Sequence, residues 1–271
     1  MNDGVQLIIA GQAGELAVFV QGDPAGPPVV MTHSILSSSM MWEAQANLLA
    51  EGGFYVVRAD TRGHGASATP AGPYTLDDLA ADTVAVLDEL HIARAHYVGL
   101  SLGGMSGFGL GIHHADRLLS LVLCDCRADA PPAFLAPWEE RISTVQKHGS
   151  CAPLAHSTVE RWFGVPYLER NPTTAERFRR TAAATSAEGF SGCARAIQKL
   201  NYLTDVPRIS TPTTLLVGSN DGPLPGALRD IQAMLPGTVL EVIADAGHLP
   251  NIDQPEAFNS ALLRHFERVA S

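Results

Sequence analysis

The chain has only four cysteines in 271 residues: Cys124, Cys126, Cys151 and Cys193. A disulfide-stapled secreted scaffold needs far more. Cys124 and Cys126 stand two apart on an expected strand and so share a face. No second ligand pair stands at matching spacing, so a zinc site is not expected; buried thiols in a reducing cytoplasm are. Basic residues are also scarce, 18 Lys and Arg against 28 Asp and Glu, for a net charge of −10. That balance argues against a nucleic-acid or anionic-membrane partner. No apolar run approaches the length of a membrane span. The N-terminus carries Asp3 instead of a basic region, and Leu7–Ala10 is too short for a signal core. A cytoplasmic location is therefore expected. There is no internal repeat or low-complexity tract. The remaining composition, 46% hydrophobic and 17% charged, is that of an ordinary globular protein. The length fits one α/β domain with an inserted lid.

The most informative stretch is Gly99-Leu100-Ser101-Leu102-Gly103-Gly104. It follows a short apolar run, Ala95–Val98, and precedes a small-residue helical pattern, Met105–Ile112. Gly-x-Ser-x-Gly between a strand and a helix is a nucleophile elbow. Such a turn holds the serine in a strained conformation with its hydroxyl exposed. Side chains at Gly99 and Gly103 would meet the neighbouring strand and helix. Ser101 also stands at a helix N-terminus, where unpaired amides favour negative charge. The bland alternative is a glycine-rich turn that only packs closely.

Around the elbow, short apolar strands alternate with amphipathic helices, the pattern of a parallel sheet wrapped by helices. A hairpin, Val5–Ala10 with Glu15–Val20, comes first. Val29–Met31, Phe54–Ala59, Leu119–Leu123, Thr213–Val217 and Val239–Ile243 read as strands. Met41–Glu51, a helix capped by Thr75, and Pro255–Val269 read as helices. The alternation fails between about Asp129 and Pro207, where only helical patterns occur, around Pro137–His148, Ala152–Phe163, Thr173–Ala184 and Gly189–Asn201. Residues 129–207 are thus expected to be a helical cap inserted after the sixth strand, with 1–128 and 208–271 forming the core.

A serine needs a base, and the base needs a partner that holds its tautomer. Of ten histidines, His248 follows the last expected strand, on the sheet edge that carries Ser101. Asp221 follows Thr213–Val217 in a glycine-flanked turn and fits the chain order Ser…Asp…His. An Asx turn is its plain reading, and Asp125, at the end of the strand after the elbow helix, is the rival acid; Asp221 is preferred. The oxyanion donors expected are the amides of Leu102 and, in the loop His33-Ser34-Ile35, of Ile35. His33 itself is read as holding loop backbone. Asp60-x-Arg62-Gly63-His64-Gly65-x-Ser67 is read as a loop fixed by an Arg–Asp pair and two glycines.

These marks, from His33-Ser34 to Gly247-His248, resemble the α/β-hydrolase superfamily across essentially the whole chain. Within it, the chain is most similar to the 3-oxoadipate enol-lactonases. That likeness rests on His33-Ser34, Met41-Trp42 with Gln45, Gly99–Met105 and Glu160-Arg161-Trp162-Phe163. The resemblance implies an α/β-hydrolase fold, with a mostly parallel central sheet flanked by helices. It also implies a serine hydrolase of a small ester or lactone, with no cofactor or metal and no nucleic-acid or membrane partner. A homo-oligomer stays open. Carbon–carbon hydrolase, amidase and perhydrolase activities would use the same triad, and a ligand receptor is the alternative outside catalysis. A haloalkane dehalogenase is disfavoured, because it would carry a carboxylate at position 101.

The cap aromatics Phe134, Trp138, Trp162, Phe163 and Phe190 exceed what a solvated hairpin needs, although cap packing accounts for most. By likeness to the lactonases, Trp138 and Trp162 are placed nearest the substrate. Arg127 or Arg161 would pair with the carboxylate of an acidic lactone; a solvated surface arginine is the plain reading of each.

Overall fold

The computed structural model describes residues 4–270, so Asp3 lies outside the described residues. Eight strands form one sheet: β1 (Val5–Gly11), β2 (Gly14–Gln21), β3 (Pro28–Thr32), β4 (Tyr55–Ala59), β5 (Ala95–Leu100), β6 (Leu118–Cys124), β7 (Thr213–Gly218) and β8 (Val239–Ile243). Their order is β1-β2-β4-β3-β5-β6-β7-β8. The β1–β2 and β2–β4 pairs are antiparallel; every later pair is parallel. The central strands read as near-continuous Val, Leu and Ala runs because helices cover both faces. All six residues of β7, for example, are buried.

The core helices are α1 (Glu43–Glu51), α2 (Leu76–Glu89) and α3 (Leu102–His113). Thr75 caps α2 as expected and shares a capping box with Asp78, with Thr75 N donating to Asp78 Oδ2 at 2.8 Å and Asp78 N to Thr75 Oγ1 at 3.0 Å. Between β6 and β7 stand five helices: α4 (Pro132–His148), α5 (Ala152–Phe163), α6 (Val165–Arg170), α7 (Pro172–Ala184) and α8 (Ala187–Gln198). The chain ends with α9 (Leu224–Met234), α10 (Pro250–Asp253) and α11 (Pro255–Ala270).

Three details differ from the sequence reading. The first insert helix starts at Pro132, so Pro137 sits inside it. Pro137 cannot donate to Ala133, but Ala133 is exposed and water can take that carbonyl. The helices α6 and α9 were not expected. Prolines and glycines at Gly164, Pro166, Pro223, Pro225 and Gly226 make both segments look like loops. Finally, β6 ends at Cys124, and Asp125 turns the chain at φ 46°. Cys126 therefore lies past the strand, against Gly104, where an added Cβ would stand 2.7 Å from its sulfur. All four thiols are unbridged and buried.

The insert is joined to the sheet layer at several points. Asp129 pairs with Asn201 in an isolated bridge, and Tyr202 N donates to Ala128 O at 2.8 Å, which brings its two ends together. Gly63 packs on Gly189 of α8 so closely that a Cβ on Gly63 would lie 2.2 Å from its Cα. One continuous apolar core runs from the sheet into the insert. Among the described residues, no helix is long and apolar enough to cross a membrane.

Several imidazoles are buried inside this framework. His265 of α11 bridges Ser120 Oγ of β6 (2.7 Å) and Thr214 Oγ1 of β7 (2.6 Å). Burial, then Arg268 and His96, lowers its pKa to about 3. Burial, then His33, lowers that of His64 to about 3. An unfolded histidine titrates near 6.5, so only the unfolded chain takes up these protons on acidification. The stability they contribute is complete above about pH 6.5 and lost as pH falls toward about 3. Urea midpoints should therefore fall through that window, and His265→Gln should remove about one proton from the linkage slope. An unchanged slope would contradict neutral burial of His265.

Candidate active site

Ser101 occupies the turn between β5 and α3 at φ 57° and ψ −109°. A non-glycine residue there carries roughly 1–3 kcal/mol of backbone strain. The neighbours that fix the turn leave no room for side chains. A Cβ on Gly99 would come within 2.3 Å of Gly103 O, and one on Gly103 within 2.4 Å of Thr32 Oγ1. Ser101 N donates to Cys124 O at 2.8 Å, and Gly103 N to His33 O at 3.2 Å.

Ser101, Asp221 and His248 line one cavity of about 680 Å³ between the sheet edge and the insert. Asp221 follows β7 in a turn closed by its N–H on Gly218 O at 3.2 Å. His248 follows β8, and its Nδ1 lies 2.7 Å from Asp221 Oδ2. A proton shared there leaves Nε2 free to accept another. The His248 and Asp221 side chains are 6% and 12% exposed, which strengthens their interaction. Burial works to raise the Asp221 carboxyl. His248 and the field of Arg161 outweigh it and hold the group below the ordinary carboxylate range.

Asp125 also lines the cavity, fully buried, immediately behind this pair. Burial and then the Asp221 charge push its carboxyl well above the usual range. Asp125, Asp221 and His248 bring three potential ligand atoms within 4.8 Å of one another. The His248–Asp221 hydrogen bond occupies one nitrogen and one oxygen of that set, so the arrangement serves a proton relay better than a cation. The loop before His248 rests on Asp253, whose Oδ2 accepts from Gly247 N at 2.7 Å. Burial pushes the Asp253 carboxyl up to about 6.

The expected oxyanion donors belong to two elements. Leu102 is the first residue of α3, so its N–H has no carbonyl within the helix. Ile35 lines the cavity, and the next residue, Leu36, is held at φ 62°. His33 shapes that loop, with Nδ1 2.8 Å from Ser34 O and Nε2 accepting from Thr61 N at 2.9 Å. The Asp60–Ser67 loop is structural. Arg62, however, pairs with Asp82 of α2, at 2.6 Å from Nε and 2.7 Å from Nη2. Asp60 instead accepts from the backbone N–H groups of Ser39 and Ala66.

The insert supplies the opposite wall, including Phe134, Trp138, Arg141 and Arg161. Arg127 lines the cavity too, but Asp129 holds its guanidinium at 2.7 Å and the Phe134 ring lies 5.0 Å away. Among the described residues, neither Arg141 nor Arg161 takes part in a salt bridge. Arg161 is accessible from the cavity, yet protein surrounds it. That enclosure, and then Arg141, lowers its pKa to about 10. Arg141 was missed in the sequence; it stands three residues after Trp138 on one helical face, a spacing that could have flagged it.

Trp162 does not line the cavity. It is fully buried, with Phe178 and Phe163 rings 6.0 and 6.4 Å away. Its backbone carbonyl accepts from His248 N at 2.8 Å.

The Alpha/beta hydrolase family profile matches residues 29–261, and the chain belongs to that family. It is 34% identical to 3-oxoadipate enol-lactonase 2 of Acinetobacter baylyi over 91% of this chain and 90% of that protein. A hydrolase from Pseudomonas aeruginosa PA01 superposes with a TM-score of 0.92 at 35% identity, covering 98% of this chain and 99% of that one. The enol-lactonase from Burkholderia xenovorans LB400 gives a TM-score of 0.89 at 31% identity, over 96% and 100%. The protein is accordingly a hydrolase of the α/β family.

Replacing Trp162 with Ala is expected to cost about 3–5 kcal/mol in chemical denaturation. Trp138→Ala should instead raise KM with a smaller loss of stability. The reverse pattern would return Trp162 to the substrate wall.

Proposed function

We propose that this protein is a serine hydrolase of a small carboxylic ester or lactone whose substrate carries a free carboxylate. The observation that carries this reading is the placement of Ser101, on its strained turn, in the same cavity as the hydrogen-bonded His248–Asp221 pair. Ser101 Oγ attacks the carbonyl carbon while His248 Nε2 takes its proton. Asp221 stabilises the imidazolium that forms. The N–H groups of Leu102 and Ile35 receive the oxyanion. Collapse breaks the ester bond, and His248 returns the proton to the leaving oxygen; in a lactone that oxygen stays tethered to the acyl group. Water, deprotonated by His248, then releases the acid and restores Ser101. The residues named need no cofactor for these steps.

Residues 129–207 act in this reading as a cap domain over the core formed by 1–128 and 208–271. The cap sets substrate choice through Trp138, Arg141 and Arg161. Two unpaired guanidiniums in one cavity repel each other, and an anionic ligand group would relieve that repulsion. The likeness to enol-lactonases supports an acidic lactone of that kind.

Asp221→Asn should lower kcat about 10⁴-fold with the melting temperature little changed. Full activity in that variant would reject Asp221 as the triad acid. On a panel of acidic lactones and neutral esters, Arg161→Ala and Arg141→Ala should raise KM for the acidic members about tenfold or more and spare the neutral ones. Equal effects on both kinds would reject the carboxylate site and leave an esterase with an apolar pocket. Preferential cleavage of amides or carbon–carbon bonds would reassign the reaction while keeping the triad.

A further inference from the structure

Asp125 is unusual on three counts. It holds a positive φ of 46° without being glycine. Its side chain is completely buried. Its Oδ1 accepts from Gly218 N at 2.9 Å, while Oδ2 is buried with no donor facing it. Asp221 and His248 each bring a ligand atom within 4.8 Å of one on Asp125. Two carboxylates this close in a buried site cannot both ionise at modest cost. Asp221 has His248 as partner and Arg161 nearby, so it keeps the charge. Asp125 faces one backbone amide, the Asp221 and Asp253 carboxyls, the flanking thiols of Cys124 and Cys126, and the His248 imidazole within the same 4.8 Å group; among the described residues it forms no salt bridge.

We infer that Asp125 is a positioning residue: a neutral carboxylic acid whose Oδ2–H donates to Asp221 and fixes the face Asp221 presents to His248. This rests on the triad reading above. A proton on Oδ2 converts an orphaned acceptor into a donor beside the Asp221 carboxylate. Through Oδ1, the same side chain ties the end of β6 to the residue that closes the Asp221 turn. Asp125 thus orients the acid from two sides without touching substrate chemistry.

Asparagine can reproduce both contacts, accepting from Gly218 and donating to Asp221, but it cannot ionise. Alanine reproduces neither. With an ester substrate, Asp125→Ala should lower kcat by about tenfold or more with KM within about twofold. Asp125→Asn should recover most of that loss. Its kcat should also persist to higher pH than wild type, because ionisation of Asp125 repels Asp221 and ends the hydrogen bond. The infrared difference spectrum of wild type minus Asp125→Asn at pH 7 should show the carbonyl band of a protonated carboxyl. That spectrum and the Asn variant carry the test if Asp125→Ala does not fold. A loss of about 10⁴-fold in Asp125→Asn would make Asp125 the ionised partner of His248 and overturn the proposal. So would a pH profile superimposable on wild type, full activity in Asp125→Ala, or absence of the infrared band. Failure of the triad reading would look different: Asp221→Asn would stay active whatever Asp125 does.

Discussion

Ser101 is held at φ 57° by hydrogen bonds from its own amide to β6 and from Gly103 to the loop after β3. The strain there, roughly 1–3 kcal/mol, persists only because the neighbouring strands over-determine the turn. Thr32 and Cys126 crowd the glycines from two sides. The parallel order of β3, β5 and β6 is what brings these neighbours together. The same order puts the ends of β7 and β8, with Asp221 and His248, on the Ser101 edge of the sheet. An open parallel sheet collects such loops at the carboxyl ends of its strands.

Electrostatics then divides labour among four acidic or basic groups in one small volume. Asp221 is ionised because His248 and Arg161 favour its charge more than burial opposes it. Asp125, a short distance behind, is driven the other way by burial and then by the Asp221 charge. Two carboxyls with opposed environments mark an acid–base site more sharply than either alone. The insert takes part directly, since Trp162 of α5 holds the backbone of His248. The insert and the His248 loop are therefore mechanically joined, and displacement of α5 would disturb His248 as well as the cavity.

Much of this was legible in the sequence because local chemistry and global placement agree. The elbow glycines, the Thr75 cap and the short apolar strands each have a steric or hydrogen-bonding reason that needs no tertiary context. Residues 101, 221 and 248 could be named because strand ends locate them. The insert was harder. Its proline-broken helices hide their boundaries, as Pro137 and Pro166 show. Which of its aromatics face the cavity depends on how α4 and α5 roll against the sheet. That is why Trp138 fell on the wall and Trp162 behind it. Arg127 looked available until Asp129, two residues on, was seen to fold back onto it. That neither Arg141 nor Arg161 forms a salt bridge among the described residues is a property of packing; Arg141 instead lies over the Trp138 ring, 5.0 Å away. Arg62 likewise found its partner in Asp82, on a separate helix, instead of in its own loop.

The central claim is that Ser101 becomes acylated. Rapid quenching during turnover of an activated ester, followed by intact-mass and peptide mass spectrometry, tests it directly. One acyl group should accumulate per chain on the peptide containing Ser101, and none should form on Ser101→Ala. Turnover with no acyl adduct, or an adduct on another residue, would contradict it.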